Sequence, residues 1–77
     1  MALMWEVRAA EGRLDELVET VNRLADPSAR LFRADTPEPR VVLIDPSDRG
    51  VTVPDDLVAR VPHAWHFTEV TREPDRA

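Results

Sequence analysis

The longest unbroken apolar stretch of the predicted strands is residues 41–44, four aliphatic residues in a row between Arg40 and Asp45. A short apolar run followed directly by a turn-forming segment, here residues 46–50, is typical of a strand with both faces buried. A chain of 77 residues has room for too few helices to cover both faces of a sheet. The pattern therefore predicts a strand covered by helices on one face and by a second subunit on the other.

Two further patterns precede this strand. Residues 3–10 alternate between apolar and mixed positions, which predicts a first strand with one apolar face. After Gly12, apolar residues recur at every third or fourth position up to Ala25. This spacing predicts an amphipathic helix with a single buried stripe, and Asp26-Pro27 marks its end.

The remaining elements are shorter. Residues 29–34 and 40–45 predict a second and a third strand joined by a five-residue loop. A second, short helix is predicted over residues 53–60, with Pro62 stopping it. The aromatic and β-branched residues between positions 64 and 71 predict a last strand.

The order strand, helix, strand, strand, helix, strand predicts an α+β fold of the ferredoxin-like type. Its sheet is antiparallel in the order 4-1-3-2, both helices lie on one face, and the other, open face forms the dimer. Residues 1–71 are expected to be a single domain and residues 72–77 a flexible tail. The helix-covered face is expected to hold Leu3, Trp5, Val7, Trp65 and Phe67. The open face is expected to hold Met4, Glu6, Arg8, His66, Thr68 and Val70, with two of residues 41–44.

Composition excludes several classes of function. The absence of cysteine excludes disulfides, thiolate catalysis and cysteine-ligated zinc. The spacing of the two histidines, His63 and His66, matches no metal-ligand signature, so no metal is expected. A net charge of −5 with scattered arginines argues against a nucleic-acid partner.

The prediction of localisation rests on the residues at the N-terminus and on the length of the apolar runs. The sequence shows no signal peptide and no apolar run near the roughly 18 residues of a spanning helix, so a soluble cytoplasmic protein without a membrane partner is expected. All ten cationic side chains are Arg and none is Lys, a bias typical of GC-rich bacterial genomes. This bias indicates a bacterial source and carries no functional weight.

The candidate site lies on the open face, where the first and last strands are neighbours in the predicted order. Glu6 and His66 are candidates for a general base, and Arg8, Thr68 and Met4 are candidates for ligand contacts. In this interpretation Arg8 holds an anion in a partly buried cleft. The alternative is that Glu6 and Arg8 pair across a subunit interface, with His66 hydrogen-bonded nearby and no chemistry at the site.

The chain resembles the dimeric α+β barrel superfamily, which includes the antibiotic-biosynthesis monooxygenase-like domains. The resemblance rests on the element order over residues 3–71, on the Gly-Arg-Leu-Asp-Glu-Leu helix start at Gly12, and on the aromatic strand at residues 65–67. It implies a homodimer whose cleft binds a small organic metabolite or acts on it without a cofactor. The other function class is a non-catalytic dimeric regulatory or accessory module. An open-face cavity of about 300 Å³ or more favours a ligand, whereas a solidly packed face favours assembly alone.

Overall fold

The computed structural model describes residues 1–73 as a four-stranded antiparallel sheet with one α-helix, an α+β architecture. The elements are β1 (Ala2–Arg8), α1 (Leu14–Leu24), β2 (Arg30–Ala34), β3 (Arg40–Asp45), a 3₁₀ turn (Asp55–Leu57) and β4 (His63–Phe67). The strands lie in the order β2-β3-β1-β4, which reads 4-1-3-2 from the β4 edge. Of the predicted tail, residues 74–77 lie outside the described residues. No helix within residues 1–73 is long and apolar enough to cross a membrane.

The core lies between α1 and one face of the sheet. Every second residue of β1 from Leu3 onward is buried, as the alternation in the sequence predicts. Leu17 and Val21 form the buried stripe of α1 and are fully enclosed. The core consists of Leu3, Trp5, Val7, Ala9, Leu17, Val21, Val41, Leu43 and Leu57. Burial of these side chains supplies most of the stabilisation that a small domain can obtain.

The turn after β3 is organised by a buried carboxylate. Asp45 is fully enclosed and accepts hydrogen bonds from the backbone N–H groups of Ser47 (2.9 Å) and Gly50 (2.8 Å) and from the Ser47 hydroxyl (2.5 Å). Burial alone would raise the pKa of this carboxyl, but the hydrogen bonds outweigh burial and hold its pKa below the ordinary value. Asp45 therefore stays ionised and fixes the turn.

The predicted second helix is not formed, and this prediction was wrong. The segment makes only the 3₁₀ turn Asp55–Leu57 and then runs alongside β1. The Ala10 N–H donates to the Leu57 carbonyl and the Ala59 N–H donates to the Arg8 carbonyl, both at 2.9 Å. Helices this short are marginal, and Pro62 limits the length available here. Pairing with β1 gives hydrogen-bond partners to backbone groups of this segment, and it also gives partners to backbone groups at the end of β1.

A bulge separates this segment from β4. Glu6 pairs with His63 and Ala9 pairs with Val58, so three steps along β1 face five steps along the other segment. The two additional residues lift the chain away from the sheet between Ala59 and His63.

The faces of β4 are the reverse of those predicted from the sequence. Phe67 pairs with Ala2 and Trp65 with Met4, and these pairs place both aromatic rings on the open face. His66 pairs with Leu3 and therefore lies on the helix side. Alternation shows which residues share a face but not which face is buried. Without a second helix, no helix or strand among residues 1–73 covers the helix side of β4, so aromatic rings gain nothing by pointing there.

Candidate functional site

A band of apolar side chains crosses all four strands on the open face of the sheet. Cross-strand pairing places Phe32 beside Val42 and places Met4 between Ile44 and Trp65. The apolar band consists of Phe32, Val42, Ile44, Met4, Trp65 and Phe67. Its most exposed members are Phe32 (45%), Ile44 (37%), Trp65 (45%) and Phe67 (49%). A contiguous patch of large, half-exposed apolar side chains is typical of a binding surface.

Two contacts orient the aromatic rings at the two edges of the band. The Arg30 guanidinium lies over the Phe32 ring, 5.4 Å from its centroid, in cation–π geometry. At the other edge the rings of His63 and Trp65 meet edge to face, with their centroids 5.7 Å apart. The rings of Phe32 and Trp65 are thus each in contact with a neighbour on the same strand.

A group of charged side chains, here called the charged corner, lies at one end of the open face. Arg8 and Arg40 are direct cross-strand partners, an arrangement in which like charges repel. The Glu38 carboxylate contacts both guanidinium groups, Arg8 at 2.6 Å and Arg40 at 3.2 Å, and Glu6 contacts Arg40 at 3.1 Å. Two arginines and two glutamates therefore form a neutral, half-buried cluster.

A cavity of about 100 Å³ opens beside the charged corner. It is lined by Glu6, Val7, Arg8, Arg40, Arg60, Val61 and His63. The bulge before β4 creates this space, because it carries Arg60 and Val61 away from the sheet. A larger depression of about 320 Å³ is lined only by the segment between Asp55 and Pro62, on the outside of the bulge.

The structure brings together only part of the predicted site. The open face holds Met4, Glu6 and Arg8, as expected. His66 lies on the opposite face, where its Nδ1 is 2.7 Å from the Asp48 carboxylate. Thr68 follows the end of β4 and is exposed. Glu6 and His66 are therefore not neighbours in a common cleft, and His63 is the histidine that faces Glu6.

Sequence reasoning missed three polar residues of the cavity, His63, Arg40 and Arg60. His63 shares its alternation with Trp65, so extending the last strand by one residue and assigning Trp65 to the open face would have found it. Arg40 could have been found from the register of β1 with β3, which pairs it with Arg8. Arg60 fell in the predicted second helix, and no signal in the sequence indicates the bulge that places it at the cavity.

The arrangement offers binding groups rather than an assembled catalytic centre. The residues that line the cavity include three arginines, one histidine and one glutamate, and the cationic ones can hold an anion by charge-assisted hydrogen bonds. Among residues 1–73, no group of three or more histidine or acidic side chains is placed to hold a metal ion. Comparison of the chain with protein-family models, with curated proteins and with solved structures finds no match.

Proposed function

We propose that this chain is a non-catalytic interaction module that forms a homodimer by packing the open faces of two sheets against each other. The observation that carries this proposal is the apolar band, which crosses the sheet from Phe32 on one edge strand to Trp65 and Phe67 on the other. Within one chain, the contacts among residues 1–73 leave these three side chains 45–49% exposed. Sheets that pack face to face bury such bands between them.

The exposed area of the apolar band is close to what a homodimer interface needs. A large aromatic side chain exposes roughly 150–250 Å² when free, so four residues about half exposed present on the order of 400 Å² of apolar surface. A stable dimer buries about 800 Å² per subunit, of which somewhat more than half is apolar. The apolar band and its polar border at the charged corner together approach this requirement.

The net negative charge of the chain does not oppose a second copy as the partner. The chain carries a net charge of −5, which would oppose self-association if the acidic residues lay on the contact surface. The charged corner is neutral, and Arg30 adds a positive charge at the β2 edge. Acidic residues of α1, such as Asp15 and Glu16, lie on the other side of the sheet. Two open faces can therefore approach without like-charge repulsion from these groups.

Metabolite binding by a dimeric barrel stays a prediction. The cavity on the open face of a single chain measures about 100 Å³, below the roughly 300 Å³ of ordinary small-molecule sites. The accessory-module function needs no such cavity, and the exposed band supports it directly.

Ile44→Lys tests the proposal, with Leu24→Lys as the matched control. Both residues are exposed aliphatics, but Ile44 lies in the centre of the band and Leu24 at the end of α1. Sedimentation equilibrium of the wild type is expected to give about twice the chain mass of 8.7 kDa at micromolar concentration. Ile44→Lys should reduce this to the monomer mass with an unchanged circular dichroism spectrum, and Leu24→Lys should remain dimeric. A wild type that is monomeric up to about 1 mM, or an Ile44→Lys variant as dimeric as the wild type, would overturn the proposal.

A further inference from the structure

We propose that the cavity beside the charged corner is a binding site for a small monocarboxylate, with Arg60 and His63 as its principal donors. All residues of this site come from one chain. The site goes beyond the interaction module, because it assigns a ligand to a cavity at the border of the face proposed to associate. The ligand class follows from the charge, the size and the lining of the cavity.

The charge of the cavity favours one negative charge. Arg8, Arg40 and Arg60 line or border it, and only two carboxylates, Glu6 and Glu38, compensate them. Within residues 1–73 the Arg60 guanidinium makes no ion pair. One cationic group is thus left for a ligand, and a monoanion balances it. A phosphate dianion would bring excess negative charge beside the two glutamates.

The donors suit a carboxylate. A guanidinium presents a planar fork of N–H groups that matches the two oxygens of a carboxylate. His63 adds a ring N–H, since even the neutral imidazole has one donor nitrogen. Its ring is already held in place by the edge-to-face contact with Trp65. Arg60 and His63 stand on the two ends of the bulge, so the bulge itself sets the width of the site.

The size of the cavity limits the rest of the ligand. A volume of about 100 Å³ corresponds to about three water molecules at their volume in the liquid. This space accepts a carboxylate with one or two further carbon atoms. Val61, an apolar residue that lines the same cavity, is the candidate contact for those carbons. Acetate and propionate are the simplest probes of this class.

The test is a titration of the whole chain followed by amide chemical shifts. Sodium acetate is added to the wild type, with sodium chloride and sodium phosphate at equal ionic strength as comparisons. We expect acetate to cause saturable shifts at Val61, His63 and Trp65 that chloride and phosphate do not reproduce. Arg60→Gln should weaken acetate binding at least about ten-fold, because it removes the uncompensated cation from an exposed position without altering the core. Arg23→Gln removes the same charge from the last turn of α1 and should bind acetate like the wild type.

Three outcomes overturn the site. The first is that chloride gives the same shifts as acetate, which would reduce the effect to ionic strength. The second is that phosphate binds more tightly than acetate, which would show that the ligand class is wrong. The third is that Arg60→Gln binds acetate as tightly as the wild type, which would show that Arg60 does not hold the ligand. Because the hydrodynamic mass is measured separately, a monomeric protein that binds acetate supports this site while it contradicts the proposed dimer, and a dimer without acetate binding does the reverse.

Discussion

At Gly50 both the backbone conformation and the packing require a residue without a Cβ atom. Its φ of +67° lies in the left-handed region, and a Cβ atom built there would lie 2.5 Å from Cδ2 of the buried Leu3. Its N–H also donates to the enclosed Asp45 carboxylate. Only glycine meets all three conditions without strain. The turn after β3 is therefore fixed at its two ends, by the carboxylate of Asp45 and by the backbone of Gly50.

Gly50→Ala is expected to lower the free energy of unfolding by about 2–4 kcal/mol. Left-handed backbone costs an alanine about 1–2 kcal/mol, and displacing the Leu3 side chain adds a cost of overpacking. Gly12→Ala is the matched control, because Gly12 has a similar φ of +73° but open space around its Cβ position. The free energy of unfolding of Gly12→Ala should fall only by the cost of the left-handed backbone. Urea denaturation of both variants measures the difference, and equal losses would show that Leu3 yields freely.

The elements show what an apolar pattern can and cannot predict. The position of α1 and of the hairpin between β2 and β3 could be predicted, because a period or an unbroken apolar run fixes them locally. The segment after Gly50 could not, because its backbone pairs with β1 about fifty residues away in sequence. Local signals favoured a helix start there, and a distant strand with unpaired N–H and C=O groups decided the outcome.

Hydrogen exchange distinguishes the observed segment from the helix predicted over residues 53–60. In a helix the Arg60 amide would donate to the carbonyl four residues earlier and be protected. In the structure the Ala59 amide is bonded to Arg8, and Arg60 begins the bulge. We therefore expect slow exchange at Ala10 and Ala59 and fast exchange at Arg60 and Val61. The Leu17 amide, bonded to the Arg13 carbonyl at the start of α1, serves as the protected reference. Protection of Arg60 equal to that of Ala59 would favour the helix.

The candidate site was only half predictable for the same reason. Glu6 and Arg8 follow from the alternation in β1, which is fixed by the buried residues between them. The partner from β4 depends on the face that β4 presents, and a one-residue change in pairing exchanges His66 for His63. The bulge sets that pairing, and it arises from contacts of the segment before β4 with β1. Chemistry-bearing residues on β4 thus could not be assigned before the bulge was seen.

At the scale of the whole molecule, β3 shows why a single chain is incomplete. Its inner residues Val41 and Leu43 are fully buried, whereas Val42 is half-buried and Ile44 is exposed. The sequence pattern of four consecutive aliphatic residues predicts burial on both faces, and one chain supplies only one of them. β4 is less covered still, because it is exposed along its whole length. Both strands would gain cover from a second sheet on the open face.

The two tryptophans provide a direct test of which face associates. Trp5 is 4% exposed in the core, whereas Trp65 is 45% exposed in the apolar band. In the Trp5→Phe variant, which leaves Trp65 as the only indole, emission is expected to shift to longer wavelength on dilution, because dissociation returns Trp65 to water. The Trp65→Phe variant, which keeps Trp5, should show no such shift, provided that circular dichroism confirms the fold of both. If sedimentation shows that the Trp5→Phe protein dissociates over the same range while Trp65 emission stays constant, the subunits associate through another surface and the open face is left for a different partner.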